Sequence, residues 1–124
     1  MAQDAPIEQA FLDGCLDYLT PEEQLFDQDE LSDEANWKLL HETFQEGYHI
    51  KSLHRESFYP YGLDNTTLVE TFGANSRIIF PFRRIEKLRD VEPAERRLAG
   101  LATSVYHLFP NVNITVLSLS LIHI

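Results

Sequence analysis

Phe11, Leu12, Leu16 and Leu19 recur at helical spacing and predict a short amphipathic helix near the start of the chain. Thr20-Pro21 reads as a second helix start, with Thr20 as N-cap and Pro21 in the first turn. Residues 24–34 are mostly Asp, Glu and Gln, the composition of a solvated connector. Residues 36–44 leave two readings open. Strand alternation places Trp37, Leu39, His41 and Thr43 on one face, and a helix through the same residues competes with it. Residues 45–55 predict a helix, which Pro60 and Gly62 end in a loop over 59–66.

Two β-rich runs follow, 67–72 and 76–82, joined by Gly73-Ala74-Asn75 as a hairpin. Residues 83–90 are charged, with Ile85 and Leu88 three apart. Residues 93–101 predict a short helix with Pro93 at its start. Two further strands, 103–109 and 113–119, flank Pro110-Asn111. The order is that of an α+β fold, helices packed on one face of an antiparallel sheet.

Composition narrows the function. The chain has 124 residues, the size of one domain, and 44% of them are hydrophobic, enough for a core. A formal net charge of -10 repels phosphate backbones and anionic membrane surfaces, so neither nucleic acid nor membrane is an expected partner. Cys15 is the only cysteine, which rules out an internal disulfide or a cysteine-held zinc or iron–sulfur cluster within these residues; it reads as a small apolar residue. The first twenty residues carry several acids and neither Lys nor Arg, unlike a secretory leader. No apolar run approaches the ~20 residues that span a bilayer. The expectation is a cytoplasmic protein.

The chemistry concentrates in Glu46-Gly47-Tyr48-His49-Ile50-Lys51-Ser52-Leu53-His54. Two imidazoles with a neighbouring carboxylate are the raw material of a divalent iron site, and a carboxylate as third ligand would complete a facial triad with open positions. On a straight helix His49 and His54 stand about 140° and ~7.5 Å apart, too far for one ion. Shared coordination therefore requires the helix to unwind, bulge or end between Ile50 and His54. Glu46 can bond a ligating imidazole and fix its tautomer. Tyr48 offers an aromatic wall or a hydroxyl donor. Binding through neutral imidazole should weaken as pH falls toward ~6. The other histidines read differently. His41 faces sheet or solvent, His107 is a satisfied core residue in an apolar strand, and His123 lies in a tail. Arg83, Arg84, Arg96 and Arg97 read as a solvated face paired with acids.

Asn36-Trp37-Lys38, then Glu46-Gly47-Tyr48-His49 and His54, and later Phe109-Pro110-Asn111, resemble the catalytic domain of Rieske non-haem iron ring-hydroxylating oxygenases, large (alpha) subunit, over about residues 36–117. The resemblance implies an Asn-Trp-Lys strand and a helix-grip (START/Bet v 1-like) fold, a curved antiparallel sheet around a long helix. It implies that His49 and His54 bind Fe(2+). Glu46 would stand where the family has a bridging acid, usually Asp, that links an iron-ligand histidine to a histidine of the [2Fe-2S] cluster in a neighbouring subunit. Glu there hints at quaternary-amine substrates. A ferredoxin or reductase would deliver electrons from NAD(P)H, dioxygen and a small organic substrate would meet at the iron, and the full-length protein would be a trimer.

The family's Cys-x-His and Cys-x-x-His cluster ligands are expected before residue 1, and its third iron ligand, an Asp on a late helix, beyond the end. Asp64 and Asp90 are the only Asp residues after His54, and neither has that context. The expectation is a fragment, inactive alone: residues 1–34 a connector, 35–117 the first part of the catalytic domain, 118–124 a non-native tail like translated sequencing adapter. Such a fragment should expose a sheet edge and apolar surface. Two other functions compete. One is a metal-free helix-grip module that binds an apolar small molecule; the other, a zinc hydrolase, lacks a third ligand and a base.

Overall fold

Turn chemistry organises the sheet. Gly73 has φ 62°, and Phe72 pairs with Asn75 across it, so Gly73-Ala74 forms a two-residue hairpin turn with Gly at the position that needs positive φ. A computed structural model describes residues 9, 11–14 and 21–117. Its four strands are β1 (Leu68–Phe72), β2 (Asn75–Pro81), β3 (Ala102–Leu108) and β4 (Val112–Val116), in the order β1-β2-β3-β4, every neighbour antiparallel. Both hairpins thus form where the sequence places them. Phe109-Pro110-Asn111 makes the second loop, and its Phe109–Pro110 bond is cis.

Register sorts the side chains into two faces. Val69, Ile78, Val105 and Thr115 stand in one cross-strand row, and alternation adds Phe80, Thr103 and His107 to that face. Ile78, Phe80 and Val105 are buried there, with Ile50 and Phe58 packed on them. The opposite face carries Phe72, Tyr106, Leu108, Ile114 and Val116, covered by Phe11 and Leu12 from the helical residues 11–14. Phe11 stacks on Phe72 with ring centroids 4.6 Å apart. Glu70 and Arg77 sit opposite each other on this face, and the Arg77 Nε donates to Glu70 at 2.6 Å. That bond, against the opposing effect of burial, raises the Arg77 pKa.

Helices therefore touch both faces, not one. Phe11 and Leu12 cover one, while α1 (Trp37–Thr43) and α2 (Tyr48–Leu53) lie against the other. Leu16, Leu19, Cys15, Thr20 and the tail at 118–124, with His123, lie outside the described residues. Pro21 sits in a turn and starts no helix; residues 23–32 have no regular structure and are exposed. Residues 36–44 are a helix, which overturns the Asn-Trp-Lys strand. Asn36 takes an extended conformation and its Oδ1 accepts from the Lys38 N–H at 3.0 Å, an N-cap that commits Lys38 to Thr43 to helix. The predicted helix over 93–101 shrinks to one 3₁₀ turn at Pro93–Glu95, because the chain turns extended at Arg96 and Gly100 takes φ 76°. A 3₁₀ turn also forms at Arg83–Leu88.

The four arginines of the expected acid-paired face hold main-chain oxygens. Arg83 donates to Pro60, Arg84 to Gly100, Arg96 to Val91 and Arg97 to Ala94. They tie irregular segments to one another. Apolar exposure is extensive: Phe26 is fully exposed, and Leu39, Leu40, Leu53, Leu68 and Val69 are exposed as well. Among the described residues no helix is long and apolar enough to cross a membrane.

Candidate metal centre

Gly47 precedes α2 with φ -107° and ψ 0° and no capping side chain of its own. The open N–H groups of the first turn are taken by Glu46 instead. Its Oε2 accepts from the Tyr48 N–H and, at 3.3 Å, from the His49 N–H. The carboxylate is thus a cap that precedes the helix, where a residue on the helix was expected. Its other oxygen, Oε1, lies 2.7 Å from His49 Nδ1. Slight burial pushes the Glu46 carboxyl up, but the bonds from the His49 ring and from the two N–H groups outweigh it and hold the pKa below the ordinary value. Glu46 is therefore an anion that accepts the His49 Nδ1–H, which leaves Nε2 with the free lone pair.

α2 stops at Leu53. His54 is its C-cap, with φ -106° and ψ 30°, and its N–H reaches the Ile50 carbonyl at 3.0 Å. The straight-helix separation does not apply across that break, and the His49 and His54 ring centroids lie 5.4 Å apart at 71°. Two imidazoles bound to one ion through metal–nitrogen bonds of ~2.1 Å place their centroids roughly 4.5–5.5 Å apart, so the spacing fits a shared cation. The His54 Nδ1 has the Ser57 hydroxyl at 3.5 Å, a distant neighbour beside the short bond to His49.

Both histidines line a cavity of about 240 Å³ over the inner sheet face, with Phe44, Ile50, Phe58, Phe80, Thr103 and Val105 among its walls. Among the described residues neither an acid nor a lysine or arginine lines it. The pairs Phe80–Thr103 and Val105–Thr115 supply its floor. Sequence reasoning missed these walls; period-2 alternation over 103–107 carried the signal, but only the register tells which alternate set faces α2. Tyr48 is not among the walls. Its side chain is 75% exposed, and it touches the centre through its main-chain N–H alone.

Among the described residues no group of three His, Cys, Asp or Glu side chains is placed to hold a metal. Asp64 instead meets Lys51 at 3.8 Å and the Tyr59 hydroxyl at 3.5 Å, and Asp90 does not join the histidines. The chemistry present is a two-imidazole donor set with an anionic hydrogen-bond acceptor behind one ring, beside an apolar cavity.

His41 and His107 form a second pair. Their rings meet at 4.7 Å between α1 and the sheet. His107 is 2% exposed, and its Nδ1 lies 2.5 Å from Asn113 Oδ1. Its Nε2 and the His41 Nδ1 are buried with no hydrogen bond of good geometry among the described residues; the Phe44 main chain comes close enough to the His107 ring to favour its protonated form, so His107 is a core residue incompletely satisfied. Burial first, then the neighbouring His41, lower the His107 pKa, against the opposing effect of the Asn113 bond.

A family model described as ring hydroxylating alpha subunit (catalytic domain) matches residues 23–122. No curated protein and no solved structure matches the chain.

Proposed function

The chain belongs to the family of ring-hydroxylating alpha-subunit catalytic domains, and on that premise we propose that His49 and His54 hold one Fe(2+) beside the apolar cavity. The observation that carries this is the end of α2 at Leu53, with the two rings 5.4 Å apart on one cavity wall. Iron bound there would supply activation of dioxygen for hydroxylation of a small organic molecule, aromatic or quaternary-amine-like. The rest is the work of the chain. Glu46 fixes the His49 tautomer, orients the ring and sets a negative charge near the cation. Its partly exposed carboxylate also offers the contact through which electrons arrive from a [2Fe-2S] domain of a neighbouring subunit in a trimer, fed by a ferredoxin or reductase and NAD(P)H. The phenylalanines and aliphatic walls hold the substrate and exclude water.

In this reading residues 35–117 are the first part of a helix-grip catalytic domain, 1–34 a connector, and the enzyme works in the cytoplasm. The isolated chain turns over no substrate, because the described residues contain neither a cluster nor a third ligand. Product formed by these 124 residues with reductase and NADH would refute that.

Anaerobic titration with Co(II), read by its visible absorption, tests the site. We expect binding that disappears in the His49→Ala, His54→Ala double variant. Equal binding by the variant would remove the metal reading. The metal-free module keeps one supporting observation, the apolar lining of the cavity. That alternative predicts small-molecule binding unchanged by cobalt and by loss of both histidines.

A further inference from the structure

We propose that Thr103 selects, for this cavity, neutral substrates that carry a hydroxyl or carbonyl group. The proposal rests on the cavity being the substrate site. Thr103 lies on β3, opposite Phe80 in the register, and is 3% exposed. It lines the same cavity as His49 and His54. Its Oγ1 is buried and has no hydrogen-bond partner among the described residues.

That is unusual even within this chain. The Thr43 hydroxyl donates to the Leu39 carbonyl at 2.9 Å, and the Thr66 hydroxyl to the Asp64 carbonyl at 3.1 Å. Both are exposed and both still find an oxygen. The Thr103 hydroxyl is buried and finds none among the described residues. A buried hydroxyl without a partner is a standing cost, and a ligand group that bonds it removes that cost. A step between staggered χ1 wells swings the hydroxyl around Cβ without moving the strand, so a polar atom at the cavity floor can meet it.

The remaining walls specify the rest of the ligand. Phe44, Ile50, Phe58, Phe80 and Val105 offer apolar contact. Among the described residues no carboxylate, lysine or arginine lines the cavity to neutralise a charged ligand. A neutral, mostly apolar molecule with one hydrogen-bonding group fits this set. Sites that bond a substrate hydroxyl discriminate against the analogue lacking it far better than apolar walls discriminate by size.

The test compares Kd values of the 124-residue chain for 2-naphthol, naphthalene and phenyltrimethylammonium by fluorescence. One neutral hydrogen bond is worth roughly three- to tenfold in affinity. The chain should prefer 2-naphthol to naphthalene by about that factor and bind phenyltrimethylammonium more weakly than 2-naphthol. Thr103→Val, with the shape kept, should bind both naphthalene compounds equally, and Thr103→Ser should keep the preference. Thr103→Ala serves if the valine variant does not fold, and circular dichroism reports folding. A preference that survives in the valine or alanine variant overturns the proposal, as does absence of binding to wild type or tighter binding of the cation. Cobalt titration of the same samples separates the two readings. Loss of metal binding with the Thr103 effect intact defeats the iron site and leaves the selection in place.

Discussion

His49 and His54 face a cavity with their rings 5.4 Å apart, whereas His41 and His107 meet at 4.7 Å in the packing between α1 and the sheet. Each pair has one ring anchored through Nδ1, by Glu46 at 2.7 Å in the first and by Asn113 at 2.5 Å in the second. The anchors differ in charge. A carboxylate orients the ring and also offsets part of the charge of a bound cation, while an amide only orients it. Access differs as well, since the first pair lines a cavity while the second meets in packing, with His107 buried and His41 half-buried. Two histidines close together thus say little; the charge behind the ring and the space before it separate a metal donor set from a core contact.

The largest effect expected comes from deleting each pair in turn. Loss of His49 and His54 should weaken Co(II) binding by more than about a hundredfold, while His41→Ala, His107→Ala should change it by less than about threefold, both by titration. A metal response to the second deletion would erase the distinction. Stability should show the reverse. His107→Ala removes a buried ring and leaves a cavity, so urea unfolding should report a loss of about 2–3 kcal/mol. Glu46→Gln swaps a charged anchor for a neutral one; Co(II) affinity should fall by about tenfold with little change in the unfolding midpoint.

A smaller effect is pH dependence. The His107 pKa is lower in the folded chain than its ordinary 6.5, mainly because the ring is buried. The unfolded chain takes up the proton first, so the contribution of His107 to stability is complete above pH ~6.5 and is lost as pH falls through the lowered value. The Glu46 contribution, also from a lowered pKa, is lost only below its ordinary 4.5. Between pH 7.5 and 5.5 the urea midpoint should therefore fall, and His107→Gln should flatten the slope. An unchanged slope in that variant would place the proton elsewhere. The smallest effect is Tyr48→Phe. With its side chain in solvent, metal affinity and stability should both stay within measurement error.

Local signals were legible in the sequence. Gly73 between two β-rich runs announced the first hairpin, and the run from Glu46 to His54 announced the candidate metal residues. Contacts set by register or by distant segments were not. At residues 36–44 a chance alternation competed with a helix whose cap, Asn36, was in plain view. Arg96 and Arg97 looked like helix surface but bind carbonyls of an irregular segment. Thr103 and Val105 became cavity walls only when β2 fixed which way β3 faces. Phe11 covers a strand sixty residues away, which no window of periodicity can reveal. The incompletely satisfied state of His107 depends on α1 packing above it, a tertiary fact.

Proton NMR of the Co(II)-loaded chain reads the central claim most directly. If His49 and His54 share one ion, two hyperfine-shifted, exchangeable imidazole N–H resonances appear, and His49→Ala and His54→Ala each remove one. A spectrum with no shifted ring signals, or with signals that persist in both variants and vanish with His41 or His107, would contradict it.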